Sequence, residues 1–185
     1  MARKSHRLWI ALCAVAALLL SGVARADDAN RAKARSLVAA AIQLTDSTQA
    51  LKMLWQATDI DPSLSESYVY LGLYYNSREN FGKVVEVYKK FTKYSPKEVS
   101  AYLNIGEAYM SFSPPRYDDA LTYYRKAYEI DPHSGFAALR IGELLARNGD
   151  RSEAVRYLKQ ASAGSSSNPT IAAEASKQLR ELAAF

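Results

Sequence analysis

Apolar and small residues recur at helical spacing through most of the chain, and the pattern is clearest near its middle. The first stripe consists of Tyr102, Ile105, Gly106 and Tyr109, and the second of Ala120, Tyr124 and Ala127. Positions i, i+3, i+4 and i+7 lie on one face of a helix, so each stripe predicts one amphipathic helix. The second helix ends before Pro132, because proline disfavours helical geometry at the residue that precedes it.

Gly106 is unusual because it lies in the middle of the first predicted helix. A glycine there costs about 1 kcal/mol of helix stability relative to alanine. We expect a close approach of the neighbouring helix to compensate for this cost, with one large ring of the second stripe packed at the crossing point. The two helices therefore form an antiparallel pair.

This two-helix unit recurs along the chain. We place four units at residues 31–64, 65–98, 99–134 and 135–168. The third unit is two residues longer, and the excess lies around Pro114 and Pro115, which form either a tolerated surface loop or a protruding contact point. Residues 169–185 follow as a last helix, whose single apolar stripe predicts a solubilising end cap.

Short polar sequences predict where several helices begin. Asp46 followed by Gln49 is typical of a capping box, and Asn80 is a turn residue between two helices. Asn168 and Pro169 serve as cap and first residue of the last helix. The polar residues 27–29, in contrast, predict a short frayed segment before the first unit.

The order of residues in the best unit resembles the tetratricopeptide repeat (TPR), and the resemblance covers residues 31–168. The matching residues are Tyr102, Ile105, Gly106, Tyr109, Ala120, Tyr124, Ala127 and Pro132. The resemblance implies an all-α fold, a TPR superhelical solenoid of helical hairpins with a C-terminal capping helix. In such proteins the first helix of each pair lines a concave groove that binds peptides or partner proteins.

By this resemblance the groove carries aromatic and aliphatic residues beside a few polar groups. They are Val69, Tyr70, Leu73, Leu103, Asn104, Glu107, Met110, Phe136, Leu139, Arg140 and Glu143. A surface of this kind suits an extended peptide or an amphipathic segment. The alternative is that neighbouring helices already cover Tyr70 and Phe136, because aromatic residues are more often core than ligand contacts.

Two of these residues are similar to a carboxylate-binding set. Chaperone-binding members of the family grip a C-terminal carboxylate with lysines, asparagines and an arginine, and Asn104 and Arg140 are similar to two of them. The other positions hold Val69, Leu73 and Phe136, which leaves the set incomplete. We expect Arg140 to orient an acidic or carbonyl group of a partner.

The first 26 residues predict a cleaved signal peptide. Basic residues precede an uncharged apolar run from Leu8 to Leu20, and residues 24–26 have the small-x-small pattern of a cleavage site. We therefore expect a mature chain that begins at Asp27 and is exported across the inner membrane to the periplasm. The alternative is an uncleaved membrane anchor, although the run is shorter than the roughly 20 residues of a spanning helix.

Composition excludes several function classes. The chain has 24 basic and 19 acidic residues, and four of the basic residues but no acidic residue lie in the predicted leader. The remainder is close to neutral, which argues against a nucleic-acid partner. The single cysteine, Cys13, lies in the leader and only His133 remains as a histidine after it, so we expect no metal, no cofactor and no enzymatic activity.

A protein-binding adaptor and a self-associating structural subunit of an envelope assembly remain as hypotheses, and the second would make the protein a homo-oligomer.

Overall fold

The computed structural model describes residues 26–164 and 168–184, and every regular element within them is an α-helix. In chain order the helices are α1 (26–41), α2 (Ser47–Ile60), α3 (Ser65–Asn76), α4 (Phe81–Tyr94), α5 (Val99–Met110), α6 (Tyr117–Ile130), α7 (Gly135–Arg147), α8 (Arg151–Gly164) and α9 (Pro169–Ala183). The predicted all-α fold is confirmed. Residues 1–25 of the predicted signal peptide lie outside the described residues. Within the described ranges, none of the helices is both long enough and apolar enough to span a bilayer.

The helix starts agree with the predicted capping residues. The Asp46 carboxylate accepts hydrogen bonds from the backbone N–H groups of Thr48 and Gln49 at the start of α2. Asn168 accepts from the backbone of Ile171 in α9, and Asn80, predicted only as a turn residue, also caps α4 by accepting from the backbone of Lys83. Each cap satisfies a backbone donor that has no partner inside its own helix.

The chain divides into two compact units, residues 1–71 and residues 72–185. In the first unit, α1 includes residues 26–30, so the expected frayed segment at 27–29 is wrong. Asp27 and Asp28 lie toward the N-terminal end of α1, where acidic side chains stabilise a helix through its dipole.

One ion pair in the first unit fixes α1 to the turn that follows α2. Arg31 Nε donates to Asp61 Oδ2 at 3.0 Å, and Arg31 Nη2 donates to Ser63 Oγ at 3.0 Å. Asp61 also accepts from the backbone and the hydroxyl of Ser63. Burial raises the pKa of Asp61, but the hydrogen bonds from Ser63 and Arg31 outweigh it and hold the pKa below its usual value.

In the second unit each helix packs against the next from α4 to α9, and α9 also contacts α7. Leu139 and Leu158 belong to a buried cluster with Ala175 of α9, and Ile171, Leu179 and Leu182 of α9 pack against this cluster. The apolar stripe of α9 thus packs against the buried residues of α7 and α8.

Three helical glycines mark close contacts between paired helices in the second unit. A Cβ atom at Gly106 would lie 2.5 Å from Cε1 of Tyr124, and one at Gly72 would lie 2.6 Å from the Tyr88 hydroxyl oxygen. At Gly142 the corresponding neighbour is Leu158 Cγ, at 2.7 Å. The expected close approach at Gly106 is confirmed, and it recurs with a tyrosine or leucine side chain at each glycine.

The loop of the third repeat folds back onto α5 at both ends. The ring of Phe112 stacks on Tyr109 with 5.8 Å between centroids, and the backbone N–H of Arg116 donates to the Tyr109 carbonyl at 2.9 Å. Residues 113–115 between them are exposed. Pro114 and Pro115 are therefore accessible at the surface of the loop.

Candidate functional site

The most exposed predicted groove residues lie on α3. Side chains at positions i, i+1 and i+4 share one side of a helix, and here Val69 is 43% exposed, Tyr70 37% and Leu73 59%. Large apolar side chains are usually buried, so three of them on one exposed side of a helix form a candidate contact surface. We call these three residues the α3 stripe.

Tyr70 differs from the other tyrosines that lie off the packing stripes. The Arg78 guanidinium lies 3.8 Å from the Tyr74 ring centroid, and the Tyr123 ring lies 5.6 Å from the Tyr109 ring. The Tyr128 hydroxyl donates to Gln160 Oε1 at 2.9 Å. Partners within the protein account for those three tyrosines, whereas Tyr70 is exposed.

The predicted groove residues of α5 and α7 are less accessible than those of α3. Seven of them are half-buried, namely Leu103, Asn104, Glu107, Met110, Phe136, Arg140 and Glu143. Leu139 is only 5% exposed because α9 covers it. The prediction that Leu139 lines the groove is therefore wrong, since the apolar stripe of α9 packs over this side of α7.

Arg140 of α7 pairs with two carboxylates, one on α5 and one on its own helix. Its Nε and Nη2 donate to the two carboxylate oxygens of Glu107 at 2.9 and 3.0 Å, and its Nη1 donates to Glu143 at 2.9 Å. Burial lowers the pKa of Arg140, but the hydrogen bonds to Glu143 and Glu107 outweigh this effect and raise it. The guanidinium is thus always charged, and two carboxylates already surround it.

This pairing changes the role expected for Arg140. One guanidinium between two carboxylates leaves the cluster Glu107, Arg140 and Glu143 with a formal charge of −1, which does not favour an acidic ligand group. The Asn104 side chain is also engaged, because its Nδ2 donates to the Ser100 carbonyl at 2.8 Å. The two residues that resemble a carboxylate-binding set therefore hydrogen-bond inside the protein.

The same cluster extends to α6 and α9. The Tyr124 hydroxyl donates to Glu107 Oε1 at 2.5 Å. Burial and this hydrogen bond raise the pKa of Tyr124 well above its usual value. On the other side, Gln178 Nε2 donates to Glu143 at 2.8 Å. Glu143 is therefore held by α9 as well as by Arg140.

A pocket of about 220 Å³ opens beside Leu73. It is lined by Gly72, Leu73, Asn76, Val84, Tyr88, Asn104, Glu107, Ala108 and Ser111. Sequence reasoning placed Leu73, Asn104 and Glu107 on this face but missed Tyr88, Asn76 and Ser111. Comparison of the repeats contains a signal for this difference. Leu73 follows Gly72 in the second repeat, at the position where Glu107 follows Gly106 in the third.

The Tyr88 hydroxyl lies over Gly72 at this pocket. Tyr88 is 5% exposed, and no hydrogen-bond partner for its hydroxyl lies within the described part of the chain. Burial raises the pKa of Tyr88 to about 12, so the phenol is neutral at physiological pH. It can donate one hydrogen bond and accept others.

Within residues 26–164 and 168–184, no group of three or more His, Cys, Asp or Glu side chains is arranged to hold a metal ion.

Comparison with known proteins agrees with this geometry. The family model described as tetratricopeptide repeat matches residues 116–180, which run from the start of α6 into α9. The chain is also similar to the crystal structure of MamA, with a TM-score of 0.61 and 21% identity over 74% of this chain and 81% of that one. The fold is that of the tetratricopeptide repeat. Because the match includes most of α9, this helix continues the repeat pattern.

The chain is also similar to a protein solved in complex with a partner and to a much longer protein. The structure of PcrH in complex with the chaperone binding region of PopD has a TM-score of 0.58 and 19% identity, over 64% of this chain and 90% of that one. Anaphase-promoting complex subunit 3 of Schizosaccharomyces pombe is 25% identical over 114 residues, or 62% of this chain. This chain spans 17% or less of the length of the curated relatives it matches. TPR folds are typical of protein-binding scaffolds.

Proposed function

We propose that this chain is a non-enzymatic adaptor that binds a segment of another protein along α3. The observation that carries the proposal is the α3 stripe, which exposes Val69, Tyr70 and Leu73. Leu73 also lines the pocket that contains the Tyr88 hydroxyl and Asn104. An apolar surface beside a polar pocket suits a protein segment that presents apolar side chains and one polar group.

The energetics support a binding role for the stripe. Full burial of one large apolar side chain contributes about 1.5–3 kcal/mol. The three side chains are already partly buried, at 37–59% exposure, so covering them contributes roughly half of this value each. This is in the range of the central contact of a small interface, in which a few residues provide most of the affinity. The fold similarity to PcrH in complex with a region of PopD is in accord with this use of the fold.

The proposal includes export to the periplasm with cleavage after residue 26. It rests on the order of basic residues, apolar run and Ala24-Arg25-Ala26 in the sequence. The intact mass of the protein purified from the cell envelope is the direct test. We expect the mass of a chain that begins at Asp27, and a mass that includes residues 1–26 would replace export by membrane tethering.

A photocrosslinking residue at position 73 tests the binding role. Tyr94 offers a matched control position, because it is a similarly exposed apolar residue on another helix, with 54% exposure against 59% for Leu73. Para-benzoylphenylalanine is placed at one position or the other, the cells are irradiated, and adducts are identified by mass and by peptide sequencing. We expect a discrete adduct with one partner protein from position 73 and none from position 94.

The other outcomes separate the remaining possibilities. An adduct at position 73 with the mass of two copies of this chain would assign the α3 stripe to self-association. Light scattering over a concentration series would then show a dimer or larger species. Equal adducts from both positions, or none from position 73, would contradict a binding role for this surface.

A further inference from the structure

The pocket beside Leu73 contains a carboxylate and no cationic side chain. Glu107 lines it, and no lysine or arginine does. Although Arg140 pairs with Glu107, it is shared with Glu143, so the three side chains together retain a formal charge of −1. Glu107 is thus the charged lining residue of the pocket, and it belongs to a cluster with one more carboxylate than guanidinium.

Two further lining residues present acceptors to the pocket. Asn104 Nδ2 donates to the Ser100 carbonyl at 2.8 Å, and the Ser111 hydroxyl donates to the Glu107 carbonyl at 2.9 Å. A carbonyl oxygen can only accept, so these contacts fix the orientation of the Asn104 amide and the position of the Ser111 proton. Asn104 Oδ1 and the lone pairs of Ser111 Oγ therefore remain as acceptors for a ligand, beside the second N–H of Asn104 and the side chain of Asn76.

Tyr88 is only 5% exposed, and its hydroxyl forms no hydrogen bond with the described residues. The ring packs on Gly72 and the residue lines the pocket. Because the hydroxyl borders the pocket, a ligand group there can form the hydrogen bond that the described residues leave unmade. The apolar walls, Leu73, Val84 and Ala108, can hold an aliphatic chain beneath these polar atoms.

We propose that this pocket receives the cationic side chain of a lysine or arginine from the bound protein segment. The aliphatic stem lies against Leu73 and Val84, and the charged end donates hydrogen bonds to the acceptors at Asn104, Ser111 and Tyr88 near the Glu107 carboxylate. The inference rests on the proposed protein-binding role, and it specifies the chemistry of the partner. A carboxylate ligand, in contrast, would lie near the Glu107 carboxylate, which disfavours it.

Short peptides of one sequence test this pocket without the natural partner. The full chain, labelled with ¹⁵N, is titrated with acetyl-Ala-Ala-X-Ala-Ala-amide, where X is lysine, arginine, norleucine or glutamate. The side-chain amide signals of Asn76 and Asn104 report on the pocket. Norleucine has the aliphatic stem of lysine without the ammonium group, so it separates the contribution of the ammonium group from that of stem burial.

We expect the lysine and arginine peptides to bind at least about fivefold more tightly than the norleucine and glutamate peptides, since a hydrogen bond to a charged group is worth a factor of this order or more. Tyr88→Phe should weaken lysine binding by about threefold to tenfold, because it removes one acceptor and retains the ring on Gly72. Asn104→Asp should strengthen lysine binding and leave norleucine binding unchanged. Tyr128→Phe is the control, because its hydroxyl donates to Gln160 and the residue does not line the pocket.

Equal binding of the lysine and norleucine peptides would overturn the inference, and so would a preference for glutamate. An equal loss of lysine binding in Tyr88→Phe and Tyr128→Phe would also overturn it. These results are independent of the crosslinking experiment. If a partner is captured at position 73 but the lysine peptide binds no more tightly, the adaptor function stands and the cation pocket is rejected. If the lysine peptide binds more tightly but no partner is captured, the cation pocket stands and the adaptor function is rejected.

Discussion

Two tyrosines in residues 72–185 pack on glycines in the same way, and their hydroxyl groups have different environments. Tyr124 lies against Gly106 and donates to Glu107, the residue that follows this glycine. Tyr88 lies against Gly72, but the residue after that glycine is Leu73, and a pocket opens beside it. The ring-on-glycine contact thus belongs to the repeat, whereas one variable position decides whether the hydroxyl stabilises the fold or is available to a ligand.

The two contacts also differ in how much movement they allow. Tyr124 is completely buried, and its hydroxyl is held by a carboxylate that Arg140 fixes in turn. Tyr88 borders open space in the pocket and has no such anchor among the described residues. We therefore expect the Gly106 contact to be rigid and the Gly72 contact to tolerate small shifts.

Substitution of each glycine by alanine should separate the rigid contact from the tolerant one. At Gly106 the new methyl group would meet an immobile ring at 2.5 Å, and we expect the free energy of unfolding to fall by about 2 kcal/mol after the gain in helix propensity. At Gly72 we expect a fall of about 1 kcal/mol, because the Tyr88 ring can move toward the pocket. Chemical denaturation gives both values.

Gly82→Ala is the matched control for these two substitutions. Its nearest neighbour is Asn80 Oδ1 at 3.9 Å, so a methyl group fits and stability should stay the same or rise slightly. A larger loss at Gly72 than at Gly106 would contradict the proposed difference in rigidity.

Leu73→Glu should give the Tyr88 hydroxyl a carboxylate partner, like the one that the Tyr124 hydroxyl has in Glu107. It places a carboxylate directly after Gly72, in the position that Glu107 has after Gly106, at a site that is 59% exposed and can accept a charged side chain. A new hydrogen bond from Tyr88 should stabilise the fold by about 0.5–1 kcal/mol. Thermal unfolding of Leu73→Glu with and without Tyr88→Phe is the measurement, and a gain that persists without the hydroxyl would show that the carboxylate acts in another way.

The sequence predicted the features of this fold that depend on local chemistry. Caps at Asp46 and Asn168 follow from the ability of their side chains to accept from nearby backbone N–H groups. The close contact at Gly106 follows from the cost of a helical glycine, which requires compensation by packing. Both kinds of signal lie within a few residues of the feature that they predict.

The features that the sequence did not predict depend on how neighbouring helices are placed. Arg140 meets Glu107 across 33 residues of sequence, and Leu139 is buried because α9 packs on α7. Periodicity identifies the apolar face of a helix but does not say which side chains of two helices face each other. The engagement of Arg140 and the partner-free hydroxyl of Tyr88 could therefore be seen only in the structure.

The paired substitutions Tyr88→Phe and Tyr124→Phe test the central claim most directly, because each removes one hydroxyl and leaves its ring on a glycine. We expect Tyr124→Phe to lower the free energy of unfolding by about 1.5 kcal/mol, since it breaks a buried hydrogen bond to a carboxylate. Tyr88→Phe should change it by less than about 0.5 kcal/mol, since that hydroxyl has no partner within the described residues. Similar losses in the two variants would show that the Tyr88 hydroxyl also stabilises the fold, and would contradict its assignment to a ligand.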